Sequence, residues 1–303
     1  MLYKFLVLLS CSLCVVSEMD GRREDLVCGR RLINTDPMIH KGRKVLAGQW
    51  PWYAAIFHLD RDTHEYKCGG TILDEYTILT AAHCISPVLG MNSSNWILVH
   101  VGQTQLDVAG TNTQKLQVKN VIIHPRFGEA DLDNDIALIK LATRIKMNNY
   151  VQPVCLWTMA SEQCKIVGRN GTILGFGMTE ENVLADHLKK ATIQVVETIR
   201  CIESAREFGK FMTSRMYCGG GPPGIGASDG DSGGGMFLAD NSRWFVRGII
   251  SFHPMSNNST GSNQSNFTAY TDVAKYIDWI RPHATHMDKE GMEEPKPDKK
   301  EKY

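Results

Sequence analysis

Gly230-Asp231-Ser232-Gly233-Gly234 sets a serine among glycines, and that setting decides how the rest of the chain is read. Small neighbours bare the hydroxyl and the backbone N–H groups around it, as in a nucleophile loop. A serine hydroxyl is a poor nucleophile at neutral pH, so the reading requires a histidine to take its proton and a carboxylate to orient that histidine. Both occur upstream. Thr80-Ala81-Ala82-His83-Cys84 places a histidine beside a cysteine, and Asp133-Asn134-Asp135-Ile136-Ala137-Leu138 places an acid at the head of an apolar run. Singly, each residue has an ordinary explanation: a core histidine, a turn or cap acid, a loop hydroxyl. Together, in the order His, Asp, Ser, they point to acyl-transfer hydrolysis.

That order and these contexts resemble the trypsin/chymotrypsin-type serine proteases over residues 39–283. Further marks are Gly48-Gln49-Trp50-Pro51-Trp52, Cys68-Gly69-Gly70, Gly175-Phe176-Gly177, Tyr270-Thr271-Asp272-Val273 and Tyr276-Ile277-Asp278-Trp279-Ile280. Cys28-Gly29-Arg30, Val151-Gln152-Pro153-Val154-Cys155-Leu156-Trp157 and Gly233-Gly234-Gly235 are similar to arthropod secreted proteases of the gastrulation-defective and modular type. The resemblance implies an all-β fold, two six-stranded antiparallel β-barrels with the active site between them and a C-terminal helix. It makes Ser232 the nucleophile, His83 the general base and then acid, and Asp135 the partner that fixes the imidazole tautomer. The N–H groups of Gly230 and Ser232 become the oxyanion hole, where a side chain at 230 would hinder the turned backbone. It also implies the disulfides Cys68–Cys84, Cys201–Cys218 and Cys28–Cys155, the last tethering the N-terminal peptide after cleavage.

Composition narrows the function classes. The 303 residues carry 33 Lys+Arg against 33 Asp+Glu, so no excess of positive charge draws the chain to nucleic acid or to an anionic membrane. Met1-Leu2-Tyr3-Lys4 and the apolar run 5–16 read as a secretory signal peptide over residues 1–17, too short for a bilayer span of roughly 20 residues. A secreted, extracellular protein uses cysteine for disulfides. Of nine cysteines, Cys11 and Cys14 leave with the signal; Cys164 remains unpaired, read first as a buried thiol and second as an intermolecular bridge. Asn92, Asn170, Asn257, Asn258, Asn263 and Asn266 head Asn-x-Ser/Thr sequons, and four of these crowd one polar stretch that reads as an exposed, glycan-bearing loop. No His/Cys/Asp/Glu spacing suits zinc, and the region 103–113 offers only Asp107 toward calcium, so neither metal nor cofactor is expected.

Along the chain, residues 18–38 form a short propeptide-like segment. Apolar, β-branched runs at 54–59, 70–73, 97–101, 116–123, 135–141, 171–175, 191–196 and 245–251 alternate with Gly/Asn/Asp turns, the pattern of a barrel or sandwich. Val273, Tyr276, Ile277 and Ile280 have helical spacing. Residues 284–303 form a charged tail, and from 287 onward its composition reads as disordered.

The chain departs from the family it resembles at two places. Cleavage there frees an Ile-type N-terminus that pairs with the aspartate before the nucleophile; here that implies Ile39 and Asp231, but the preceding residue is Met38 rather than Lys or Arg. Cuts after Arg31 or Lys44 would give termini out of register. The resemblance also makes Gly226, Ser251, His253 and Thr268 the substrate pocket. Gly226 puts no carboxylate at its base, His253 and Thr268 narrow it, and Ser228 stands in place of a bracing cysteine. Small or medium neutral side chains are the expected guests. Asp229 beside the oxyanion glycine reads as a solvated acid on the loop rim, or as a selector of basic residues near the cut.

The leading reading is a secreted serine endopeptidase in an extracellular cascade, immune, developmental or salivary. It acts on protein substrates, with an upstream activating protease and serpin-type inhibitors as candidate partners. The alternative is a catalytically weak or inactive homologue that binds or regulates true proteases. A small-molecule esterase lacks any dedicated apolar pocket signal and ranks third.

Overall fold

The computed structural model describes residues 27–33, 43–60, 63–86, 96–220, 225–254 and 267–284. The signal peptide, Met38, Ile39, the charged tail from 285 and five of the sequons lie outside them. The strands in chain order are β1 (Arg43–Lys44), β2 (Tyr53–Asp60), β3 (Thr63–Asp74), β4 (Thr77–Thr80), β5 (Ile97–Val101), β6 (Gln114–Ile123) and β7 (Ala137–Leu141). There follow β8 (Cys155–Leu156), β9 (Asn170–Gly175), β10 (Lys189–Val196), β11 (Met216–Gly220), β12 (Gly235–Asp240), β13 (Arg243–Phe252) and β14 (Phe267–Asp272).

The order β2-β3-β4-β7-β6-β5 closes a six-stranded antiparallel barrel. A second ring runs β9-β10-β11-β14-β13-β12 and closes through the pairing of β12 with β9. Closure leaves neither set with a free hydrogen-bonding edge. Strand β1 adds to β10, and the two-residue β8 adds to β13 in parallel. The expected all-β architecture of two barrels is the one observed.

Period-2 patterning explains individual strands. In β6, Leu116 and Val118 are buried while Lys115, Gln117 and Lys119 face water, and each fully buried aliphatic side chain contributes roughly 1.5–3 kcal/mol. Between the lobes, Trp50, Trp52, Trp244 and Phe237 interlock: Trp50 and Trp244 have ring centroids 4.7 Å apart, and Trp52 and Phe237 are 5.8 Å apart. Arg31 lies over both Trp50 and Trp244, at 3.8 and 4.4 Å. Together with the Cys28–Cys155 disulfide and the Gly29 N–H bond to the Pro153 carbonyl, this stack binds the N-terminal peptide to the second lobe.

The other two expected disulfides, Cys68–Cys84 and Cys201–Cys218, are also formed. Cys164 corrects its first reading. It is exposed on the turn Gln163–Lys165, where Ile166 takes the buried position. The C-terminal helix is shorter than its spacing suggested. Asp272 accepts from Ala274 N to cap a 3-10 turn, Val273–Lys275, and only Ile277–Ile280 is α-helical. Two helices, Thr198–Ser204 and Arg206–Phe211, were not anticipated; Phe208 and Cys201 bury them against Cys218 and Ala269.

Candidate active site

His83 sits on the 3-10 turn Ala82–Cys84 directly after β4. Ala81 and Ala82 are wholly buried, and the disulfide from Cys84 to Cys68 on β3 closes the turn. Asp135 precedes β7 and has no exposed surface. The residue before it, Asn134, takes a positive φ of 54°, which asparagine tolerates better than most. Its amide donates to the Arg126 carbonyl at 2.8 Å, holding the bend.

The two side chains meet. His83 Nδ1 lies 2.8 Å from Asp135 Oδ2, and the backbone N–H of His83 donates to Oδ1 at 2.9 Å. The second lobe completes the site around this first-lobe acid. Ser251 on β13 donates its hydroxyl to Oδ2 at 2.6 Å, and Thr271 on β14 donates to the Asp135 carbonyl at 2.9 Å. Burial pulls the His83 pKa down, but the charge of Asp135 and its hydrogen bond outweigh that, leaving it above the ordinary 6.5. Nδ1–H is thereby held as donor and Nε2 is left to accept a proton.

Ser232 is carried on a loop clamped from both lobes. Gly69 of β3 donates to the Ser232 carbonyl at 2.8 Å, and Gly233 N–H donates to Ile250 of β13 at 2.9 Å. Gly233 has φ +75°, and a Cβ there would lie 2.6 Å from the Gly69 carbonyl and 3.0 Å from Cys84 Sγ. The serine loop therefore backs directly onto the histidine turn, at a contact only glycine permits. His83 Nε2 faces Cys84 Sγ at 3.8 Å, and among the described residues it makes no hydrogen bond to Ser232. Gly230 has φ +92°, and among the described residues the N–H groups of Gly230 and Ser232 donate to no backbone carbonyl.

Asp231 is buried beside this loop. Its carboxylate accepts from Gly177 N–H at 2.8 Å, Ser228 N–H at 2.9 Å and the Ser228 hydroxyl at 3.1 Å. Burial raises its pKa against the pull of those bonds. Asp231, Gly226, Ser228 and Gly177 line a pocket of about 820 Å3.

Ser251, His253 and Thr268 lie on or next to the paired strands β13 and β14, outside the lining of that pocket. Ser251 is buried and turns its hydroxyl to Asp135, a role the sequence reading did not assign. Thr268 is buried in β14 opposite Gly219 of β11. His253 Nε2 lies 3.3 Å from Asp229 Oδ1, joining the two segments that flank the serine. Asn170 is exposed at the start of β9. The alternative cut sites are docked: Arg31 is stacked on tryptophans, and Lys44 pairs with Lys189 while the following Val45 is buried and bonded to Leu188. Cys68, His83 and Cys84 bring their donor atoms within 4.8 Å of one another, but the two sulfurs are joined in a disulfide.

Comparisons with known proteins agree with this geometry. The chain matches the family described as Trypsin over residues 39–280. It is 31% identical to Limulus clotting factor C of Carcinoscorpius rotundicauda over 84% of this chain and 26% of that protein. It is 27% identical to serine protease gd of Drosophila melanogaster, over 78% of this chain and 51% of the relative. Bovine chymotrypsin-C is 31% identical, with 84% of this chain and 92% of the relative covered. The chain thus spans about a quarter to a half of the first two relatives and nearly all of chymotrypsin-C. With two closed barrels and a buried aspartate hydrogen-bonded to a histidine, the chain belongs to the trypsin family of serine proteases.

Proposed function

We propose that this protein is a secreted serine endopeptidase that cleaves protein substrates within an extracellular cascade. Ser232 attacks the scissile carbonyl while His83 Nε2 takes its proton, and His83 returns that proton to the leaving amine. Water then repeats the sequence on the acyl-enzyme. Asp135 holds the tautomer and stabilises the imidazolium, and the N–H groups of Gly230 and Ser232 bind the developing oxyanion. The observation that carries the reading is the fully buried Asp135 carboxylate, which accepts from both His83 Nδ1 and Ser251 Oγ.

The cascade role draws on relatives named melanization protease 1 and phenoloxidase-activating factor 3, each 29% identical. Among the described residues no helix is long and apolar enough to cross a membrane. Pairing of Ile39 with Asp231 in the cut form belongs to the same proposal, as do glycans on the sequons, serpin-type inhibitors and a preference for neutral side chains over Gly226. Fluorophosphonate labelling of the purified secreted protein tests the chemistry, with Ser232→Ala as control. Labelling lost in the control and accompanied by peptide hydrolysis supports the endopeptidase. A protein that stays unlabelled even after a cut at Met38–Ile39 passes the lead to the binding or regulatory homologue.

A further inference from the structure

Gly230 contributes one oxyanion N–H, yet a glycine at φ +92° has no side chain to hold its own peptide planes. Two contacts supply that hold from outside the loop. The Tyr66 hydroxyl, on β3 of the first lobe, donates to the Gly230 carbonyl at 2.7 Å. Tyr53 Oη on β2 lies 2.9 Å from Tyr66 Oη. Since Tyr66 spends its single proton on the carbonyl, Tyr53 is the donor between them. Both tyrosines are buried, and burial raises both pKa values, so the relay stays neutral and donating across the physiological range.

One residue further on, the Asp231 side chain is fixed by Ser228 N–H, Ser228 Oγ–H and Gly177 N–H, all neutral donors. The single Ser228 hydroxyl proton is shared between Asp231 Oδ2 and the Met178 carbonyl, each 3.1 Å from Oγ. The segment that aims the oxyanion N–H groups is therefore pinned at the Gly230 carbonyl and at the Asp231 carboxylate. Among the described residues, no hydrogen bond joins either point to a Lys, an Arg or a chain terminus.

We propose that Tyr66 and Ser228 are positioning residues which keep the Gly230–Ser232 loop in its anion-accepting shape in the uncut chain, without a charged terminus beside Asp231. The inference rests on Ser232 being the nucleophile. It accounts for a chain that carries Met38 where an activator needs a basic residue, because the uncut form then already has a working oxyanion hole.

The test compares fluorophosphonate labelling rates of the intact single chain with those of a Met38→Arg variant cut by trypsin and checked for an Ile39 terminus. The intact chain is expected to label within about tenfold of the cut one. Losing an oxyanion donor outright costs about 10²–10³ in rate. Misaiming one through Tyr66→Phe or Ser228→Ala is expected to slow labelling of the intact chain about tenfold or more. In both variants KM for a peptide substrate and the thermal midpoint should stay near native, and Ser228→Thr, which keeps the hydroxyl, should restore the rate. Labelling of the cut form alone overturns the inference while leaving the endopeptidase standing. Native rates in both Tyr66→Phe and Ser228→Ala overturn the positioning roles. Labelling of neither form removes the nucleophile reading on which the inference depends.

Discussion

Replacing Asp135 by asparagine changes one atom and reverses the direction of a proton. In the native site, Oδ1 faces a backbone donor, His83 N–H at 2.9 Å, and Oδ2 faces His83 Nδ1 at 2.8 Å and the Ser251 hydroxyl at 2.6 Å. An asparagine amide group placed at the Oδ1 position would meet the main-chain N–H donor to donor, with no freedom to rotate away. The NH2 must therefore occupy the Oδ2 position, where Ser251 can turn to accept from it. There it donates to Nδ1 and drives the ring proton to Nε2, the nitrogen that has to accept from Ser232. The same exchange in a serine–histidine–aspartate triad lowers kcat by about 10⁴, equivalent to about 5.4 kcal/mol of barrier. Fold and KM should change little, because the shape is conserved. The assays are kcat/KM on a peptide substrate and the nitrogen NMR shifts of His83, which report the tautomer. A variant within tenfold of native activity, or one whose Nδ1 still carries the proton, refutes the reasoning.

Three other outcomes follow from the same geometry. The His83 pKa lies above 6.5 and the imidazolium cannot accept from Ser232, so kcat/KM should fall as pH drops, with a midpoint above 6.5; a midpoint at or below 6.5 contradicts this. Stability runs the opposite way, the imidazolium–Asp135 contribution being present below the unfolded value and lost as pH rises through the folded pKa. Arg247 and Asp272 form an ion pair with no exposed side-chain surface, and Arg247 also donates to the Ser161 carbonyl at 3.1 Å. Asp272→Asn should therefore cost about 3–5 kcal/mol by denaturant unfolding, and a loss under about 1 kcal/mol would mean the pair is dispensable. Finally, a chain cut at Met38–Ile39 should run as one species on a non-reducing gel and as two after reduction, because Cys28 is joined to Cys155; Cys28→Ser should release the short piece without reductant.

Strand prediction from the sequence succeeded where alternation is local. Leu116 and Val118 of β6 and the apolar run of β5 carry their own signal. It did not mark β4, β11, β12 or β14; β11 and β12, Met-Tyr-Cys-Gly-Gly and Gly-Met-Phe-Leu-Ala-Asp, are held by pairing with β10, β14, β13 and β9. Cys164 was expected to be buried from residue type alone, whereas the placement of Ile166 beneath the same turn leaves the thiol outside.

Sequence by itself determined the chemistry on offer: a serine between glycines, a histidine beside a cysteine and an aspartate heading an apolar strand, with enough spacing and order to name the family. These are properties of residue type and local context, which a one-dimensional pattern retains. Tertiary structure alone decided who supports them. Ser251 and Thr271 reach Asp135 from more than a hundred residues away, Tyr66 crosses from the first lobe to the Gly230 carbonyl, and Ser228 turns to Asp231. No motif spells out those partners, because a hydrogen bond needs only a donor within about 3 Å of an acceptor. Which residues meet that condition is set by how the two closed barrels pack against each other.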